Sequence, residues 1–387
     1  MRSLIAAAYL VGVLVVSVQR GVFAFANDFA IFRSASHNLA RGADLYLLRP
    51  EQAQDLFKYS PTFAVLFAPF AIFPPFVGLA LWNVTGALLL FLALQKLLPA
   101  REALGAQAIV YLAMLRNAQS AQSNSLIAAL MIFAFMAMEQ GRWRRAAGYI
   151  GVGAAIKVFP LVAGLLAVPH RAWRRFAVVL GMVGVVLAAL PLLMTDVATL
   201  EWQYRSWWSL HDAQRNDVGQ SAMAVLAATV HLTQPQWLVQ LAGTSLLVFP
   251  LVVGRRALAE RCELRLQLLA SILLYAVLFN HKAEAASYVI AMAGIGVWWG
   301  SGSRTRWRDA VAVLAVSCTN LPSADFMPVA VKAAMTPLWR GPIVCTVVWV
   351  LLQAQLLHSV WRLRRGDRSA EIRQLHTAQT QAVPERG

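Results

Sequence analysis

Apolar runs of about 17 to 25 residues recur along nearly the whole chain, and short arginine clusters separate them. Helices of that length cross the roughly 30 Å of a bilayer's hydrocarbon. Lipid offers the backbone no outside hydrogen-bond partner, so each run must satisfy its own N–H and C=O groups as a helix. A lipid-embedded barrel would instead alternate apolar and polar positions over segments of about 10 residues. The runs here are continuous. The predicted fold class is therefore all-α, a polytopic transmembrane helical bundle with about ten to twelve hydrophobic segments. Only 13% of the residues are charged, about half the share in a soluble domain.

The net charge is +16, which invites a nucleic-acid reading. The basic residues argue otherwise, because they sit between apolar runs: Arg142 to Arg145, Arg171 to Arg175, Arg255 with Arg256, Arg304 to Arg308, and Arg362 to Arg368. Such clusters orient a membrane protein, and this pattern places both termini on the cytoplasmic side of a cell (inner) membrane. No nucleic-acid partner is expected. Cys262, Cys318 and Cys345 show neither a disulfide framework nor metal-ligand spacing. Ala24-Phe25-Ala26 resembles a cleavage site, but the apolar run continues past Arg20, so the start reads as an uncleaved first helix.

That helix runs from about Leu4 to Phe25 and leaves Asn27 outside. In the loop beyond it, Phe29, Phe32, Ala35 and Leu39 recur at helical spacing, as do Ala53, Leu56 and Phe57 after Pro50. Both stretches read as surface helices, with a turn at Gly42 to Tyr46 between them. Four apolar pieces then precede Arg142, where the orientation requires an odd number of crossings. One short piece, Thr62 to Phe73 or Ala103 to Leu115, must fall short of crossing. Between Ala146 and Pro169 both ends are basic, so a hairpin bending near Lys157 to Pro160 is favoured over a single span. Later spans alternate, with a tryptophan-rich outer loop from Thr195 to Ser221 and an exit at Asn280 to Glu284. Residues 1–365 form one membrane domain. The polar tail, 366–387, lacks apolar periodicity and is expected to be disordered. No nucleotide-cradling glycine loop is present.

The outer loops gather the polar residues that a site requires. Asp28, Arg33, Asp44 and Tyr59 come from the first loop. Arg205, His211, Asp217, Gln220 and Ser221 come from the second. His281, Lys282 and Glu284 lie at a helix exit, and Lys157 sits within an apolar segment. Ionisable groups at membrane depth point to function. A carboxylate facing cations at a lipid boundary suits sugar transfer from a lipid phosphate. The carboxylate takes the acceptor's proton, and Lys157, His281, Lys282 and Arg33 hold the departing phosphate. Blander roles exist for each. Asp28 also suits the N-cap of a helix beginning at Phe29, Lys157 suits snorkelling, and Gln122 and Asn124 suit interhelical hydrogen bonds. A transporter or flippase of a lipid-linked sugar or anion is the rival class, although no internal repeat supports it.

The ordered motifs resemble glycosyltransferase family 87, the polyprenyl-phosphate-mannose-dependent α-mannosyltransferases of the C-type membrane fold. They are Asp28-Phe29, Gly42-Ala43-Asp44-Leu45-Tyr46, Tyr59-Ser60-Pro61, Gln122-Ser123-Asn124, Lys157 through Pro160, and Gln220-Ser221. The resemblance implies an inverting transferase with no metal or other cofactor. Its partners would be a polyprenyl-phosphate hexose donor and a glycolipid or glycan acceptor, used on the outer face. It puts the catalytic base at Asp28 and donor-phosphate contacts at Lys157 and His281. Asp44, Tyr59, Gln122, Asn124, Gln220 and Ser221 would contact substrate. Where the family often has Trp-x-His, this chain reads Phe279-Asn280-His281-Lys282, which makes Lys282 a substitute for His281.

Overall fold

A computed structural model describes residues 2–213, 219–231, 236–321, 328–330 and 341–381. Asp217 lies outside them. The described residues are helical with no strand, and five helices are long and apolar enough to cross a membrane. Those helices are α1 (Arg2–Val22), α4 (Pro75–Leu97), α8 (Trp173–Ala189, continued by a 3₁₀ turn to Leu193), α11 (Gln236–Glu260) and α15 (Pro342–Gln381). Between them pack α5 (Ala100–Gln119), α6 (Asn124–Glu139), α7 (Trp143–Ile156), α12 (Cys262–Leu278), α13 (Tyr288–Ser301) and α14 (Arg306–Asn320). The described residues also form α2 (Asn27–Ala40), α3 (Pro61–Ala71), α9 (Val197–Ala213) and α10 (Ala222–Val230).

Between Tyr59 and Arg142 one described helix, α4, is long and apolar enough to cross a membrane. Helix α3 has 11 residues, about 16 Å of rise, half of what a crossing needs. It lies against α2, where the Arg33 Nε donates to the Ala71 carbonyl at 3.3 Å and Phe32 meets Phe63 edge-on at 5.0 Å. Helix α4 runs antiparallel to α1, with Asn83 Nδ2 donating to Ser17 Oγ at 3.1 Å and Tyr9 against Phe91 at 5.2 Å. Helices α5 and α6 pack beside α4, and α3 is too short to cross.

The stretch from Trp143 to Pro169 is a hairpin. Helix α7 ends at Lys157, and a 3₁₀ segment (Phe159–Ala167) returns. Pro160 has no N–H to extend the α7 ladder, and its ring lies 3.1 Å from where a Cβ on Gly153 would stand. At the other end, Trp143 meets His170 at 5.3 Å, so the chain comes back to the level where it began. The root is pinned by Glu139, whose carboxylate accepts from Arg265 Nε at 2.7 Å and Nη2 at 2.6 Å, with His170 at 3.5 Å. The Glu139 and Arg265 side chains are only 19% and 11% exposed. Removing one member of such a pair strands the other in low dielectric. Glu139→Ala is expected to cost about 3 kcal/mol of stability, measured as unfolding in detergent. An unchanged midpoint would show that solvent already screens the pair.

One expectation fails locally. The Ala53 to Phe57 stretch forms turns, not a second surface helix. Its backbone donors are taken by side chains instead, Gln54 N–H by Asn27 Oδ1 at 2.8 Å and Leu56 N–H by Asp55 Oδ1 at 2.7 Å, the competition that Asx residues offer to helices. Helix α15 continues to Gln381.

Candidate active site

Asp28 does not cap a helix. Helix α2 begins one residue earlier, with Ala26 as N-cap and no side-chain cap bond. Asp28 therefore sits in the first turn, and its Oδ2 accepts from Gln122 Nε2 at 2.8 Å. That amide is the hub of the site. Its Oε1 accepts from Tyr59 OH at 3.0 Å and from Lys157 Nζ at 3.1 Å. With a carboxylate on one side and two donors on the other, only this orientation of the amide satisfies every partner. Lys157 also donates to Asn124 Oδ1 at 2.9 Å and stands 5.5 Å from the Tyr59 ring centre. Carboxylate, lysine and polar turn thus meet around one glutamine.

Each arm has a local cause. Helices α2 and α5 both end in the reciprocal 6→1 and 5→2 backbone bonds of a Schellman motif: Ala43 to Asn38 and Gly42 to Leu39, then Gln122 to Asn117 and Ala121 to Ala118. Gly42 takes the left-handed position in the first, at φ +65°. In the second that position holds Ala121, at φ +51°, a conformation that costs a Cβ-bearing residue about 1 kcal/mol. Trp82 Nε1 donates to the Ala121 carbonyl at 2.7 Å, and Asn117 Nδ2 to the Gln122 carbonyl at 2.8 Å. These bonds hold the strained turn and aim Gln122 at Asp28. Ser60 caps α3 and donates to the Ala155 carbonyl near the hairpin tip, which brings Lys157 over Tyr59.

Helix α6 starts at Asn124 with no side-chain cap. Its leading N–H groups and macrodipole present positive potential, and Lys157 places an ammonium at the same end. Buried polar atoms without partners crowd there: Ser123 Oγ, Asn124 Nδ2, Ser125 Oγ and Asn117 Oδ1. Among the described residues the hydrogen-bond acceptors of Lys157 are two neutral amide oxygens, those of Gln122 and Asn124. The arrangement calls for an anion.

Burial, followed by the charge of Glu284 and opposed by Gln122 and Lys157, raises the Asp28 carboxyl to about 6. The aromatic floor explains that burial, with Phe32 edge-on to Tyr59 at 4.9 Å and Phe67 to Trp82 at 5.0 Å. Glu284 also acts on Lys157 and Tyr59, so the turn that carries it, Asn280 to Glu284, faces the site. The sequence placed Glu284 among the outer polar residues without giving it a role. Only the packing shows that its charge reaches Asp28.

The remaining candidates divide. Gln220 N–H donates to the Ala283 carbonyl at 2.7 Å, Tyr288 OH donates to the Gln220 carbonyl at 2.8 Å, and Ser221 caps α10. Gly219 makes this docking possible. It lies at φ +48°, and a Cβ there would stand 2.6 Å from the Ala283 carbonyl oxygen. His281 and Lys282 share the Glu284 turn and act electrostatically on His211 of α9, whose imidazole is held low by burial first and then by their charges. Two residues point elsewhere. Asp44 accepts from Tyr46 N–H at 2.9 Å within its own turn, and Arg33 binds the end of α3. Neither makes a hydrogen bond to the Asp28 cluster among the described residues.

The sequence profile of glycosyltransferase family 87 matches residues 57–280, more than half of the chain. Tyr59, Gln122, Asn124, Lys157, Gln220 and Ser221 fall inside the match, Asp28 before it, and Glu284 just after it. Comparison with the curated proteins gives no match. The helical membrane architecture and the profile together identify a membrane glycosyltransferase, and the chain belongs to glycosyltransferase family 87.

Proposed function

We propose that this protein transfers a hexose, mannose by family habit, from a polyprenyl-phosphate donor to a hydroxyl of a glycolipid or glycan, with inversion. The observation that carries the reading is one amide, Gln122, holding a carboxylate on one side and a lysine at an uncapped helix N-terminus on the other. Asp28 takes the acceptor proton as the acceptor oxygen bonds to the anomeric carbon. The bond from that carbon to the phosphate oxygen breaks, and the electron pair leaves with the lipid phosphate. Lys157 and the start of α6 receive that charge. A base near pH 6 is ionised at neutral pH yet still basic enough to take a proton in the transition state. His281 and Lys282 extend the positive wall, with Tyr59, Gln220 and Ser221 around it.

The arginine clusters support a cell-membrane orientation with the Asp28 face outside and both termini inside. The test is transfer in membranes from radiolabelled polyprenyl-phosphate-mannose, set against a nucleotide-mannose. Transfer from the lipid donor alone supports the reading, and transfer from the nucleotide alone rejects it.

Glu284→Gln tests the electrostatics. The charge that raises the Asp28 pKa disappears, so the acidic limb of the kcat/KM profile should move to lower pH. A limb that stays in place or moves upward would take Glu284 out of the site.

A further inference from the structure

Away from the site, α1 and α4 part to leave a cavity of about 360 Å³. Ala6, Tyr9, Leu10 and Val13 line one wall, and Val84, Ala87, Leu88 and Phe91 the other. Both helices belong to the five that are long and apolar enough to cross a membrane, so the cavity lies at hydrocarbon depth. Its lining is apolar apart from the Tyr9 hydroxyl, which is engaged by the Gln107 carbonyl at 2.6 Å. A water there would find none of the two to four polar partners it needs. The volume is more than twice that of a cavity of about 150 Å³ that takes benzene, enough for a chain segment of about a dozen carbons.

The seam between the helices is closed toward the Asp28 face. A Cβ on Gly21 would stand 2.9 Å from Phe76 and 3.3 Å from Leu79, and Ser17 and Asn83 are hydrogen-bonded one turn deeper. Val84, the lining residue nearest that face, lies next to Asn83 and about 14 Å along α4 from its Pro75 end. A lipid tail descending from the catalytic face is therefore barred from this seam. The opposite end is flanked by exposed Lys96 at the close of α4 and Arg101 at the start of α5. We infer that the cavity holds one acyl chain of an anionic phospholipid from the leaflet on the arginine face, bound separately from the donor.

The test is photolabelling of the full chain in nanodiscs of phosphatidylglycerol carrying a mid-chain diazirine, with peptide mapping. Labels on Ala6–Val13 and Val84–Phe91 are expected, and their loss in Ala87→Phe, which fills the cavity while sugar transfer continues. Should that variant fail to fold, Leu88→Trp at the exposed mouth serves the same purpose. Equal labelling of the filled variant would overturn the inference. So would labelling of these peptides by a diazirine polyprenyl phosphate instead, or a shift from dimer to monomer on filling, which would assign the groove to a second copy.

Discussion

Asp28→Asn is expected to lower kcat by about three orders of magnitude, the scale of a lost general base, while the protein becomes more stable. The asparagine oxygen still accepts from Gln122, so the geometry around the hub survives and only the charge goes. The sign of the stability change follows from the raised pKa. Folding lifts the Asp28 carboxyl to about 6, chiefly by burial, so the ionised form is penalised in the folded state at neutral pH. Removing the charge removes that penalty, about 3 kcal/mol. Radiolabelled transfer and thermal unfolding in detergent, read on the same preparation, check both halves. A variant with full transfer would remove Asp28 from the chemistry. One that is both inactive and unstable would make it a structural residue.

Lys157→Ala is expected to raise the donor KM by about 10- to 100-fold, the worth of a charge-assisted bond to phosphate, and to lower kcat because phosphate charge builds in the transition state. The substitution strands Asn124 Oδ1, while Gln122 Oε1 keeps its bond from Tyr59, so the stability loss should be modest, about 1 to 2 kcal/mol. Lys157 also lowers the Asp28 pKa. Its removal should move the acidic limb upward, opposite to the shift from Glu284→Gln. Unchanged donor affinity would end the assignment of Lys157 to phosphate, and limbs moving in the same direction would refute the arrangement of charges around Asp28.

The sequence alone determined the all-helical membrane class, because lipid forces every long apolar run to satisfy its backbone internally. It favoured a hairpin at Lys157 to Pro160 over a single span, and the contact of Trp143 with His170 decided it. Asp28, Lys157, Gln122 and Asn124 were recognisable as polar residues in places where an apolar chain has few. Which of them meet was decided by tertiary structure. Gln122 reaches Asp28 only because α5 ends in a strained turn held by Trp82 and Asn117, residues distant from Asp28 in sequence. Arg33 and Asp44 had the right chemistry but found nearer partners, a helix end and a turn. Glu284 became part of the site through the docking of Gln220 on Ala283. Short polar side chains bond whatever the packing of other elements brings within about 3 Å, and residue type and spacing carry no record of that packing.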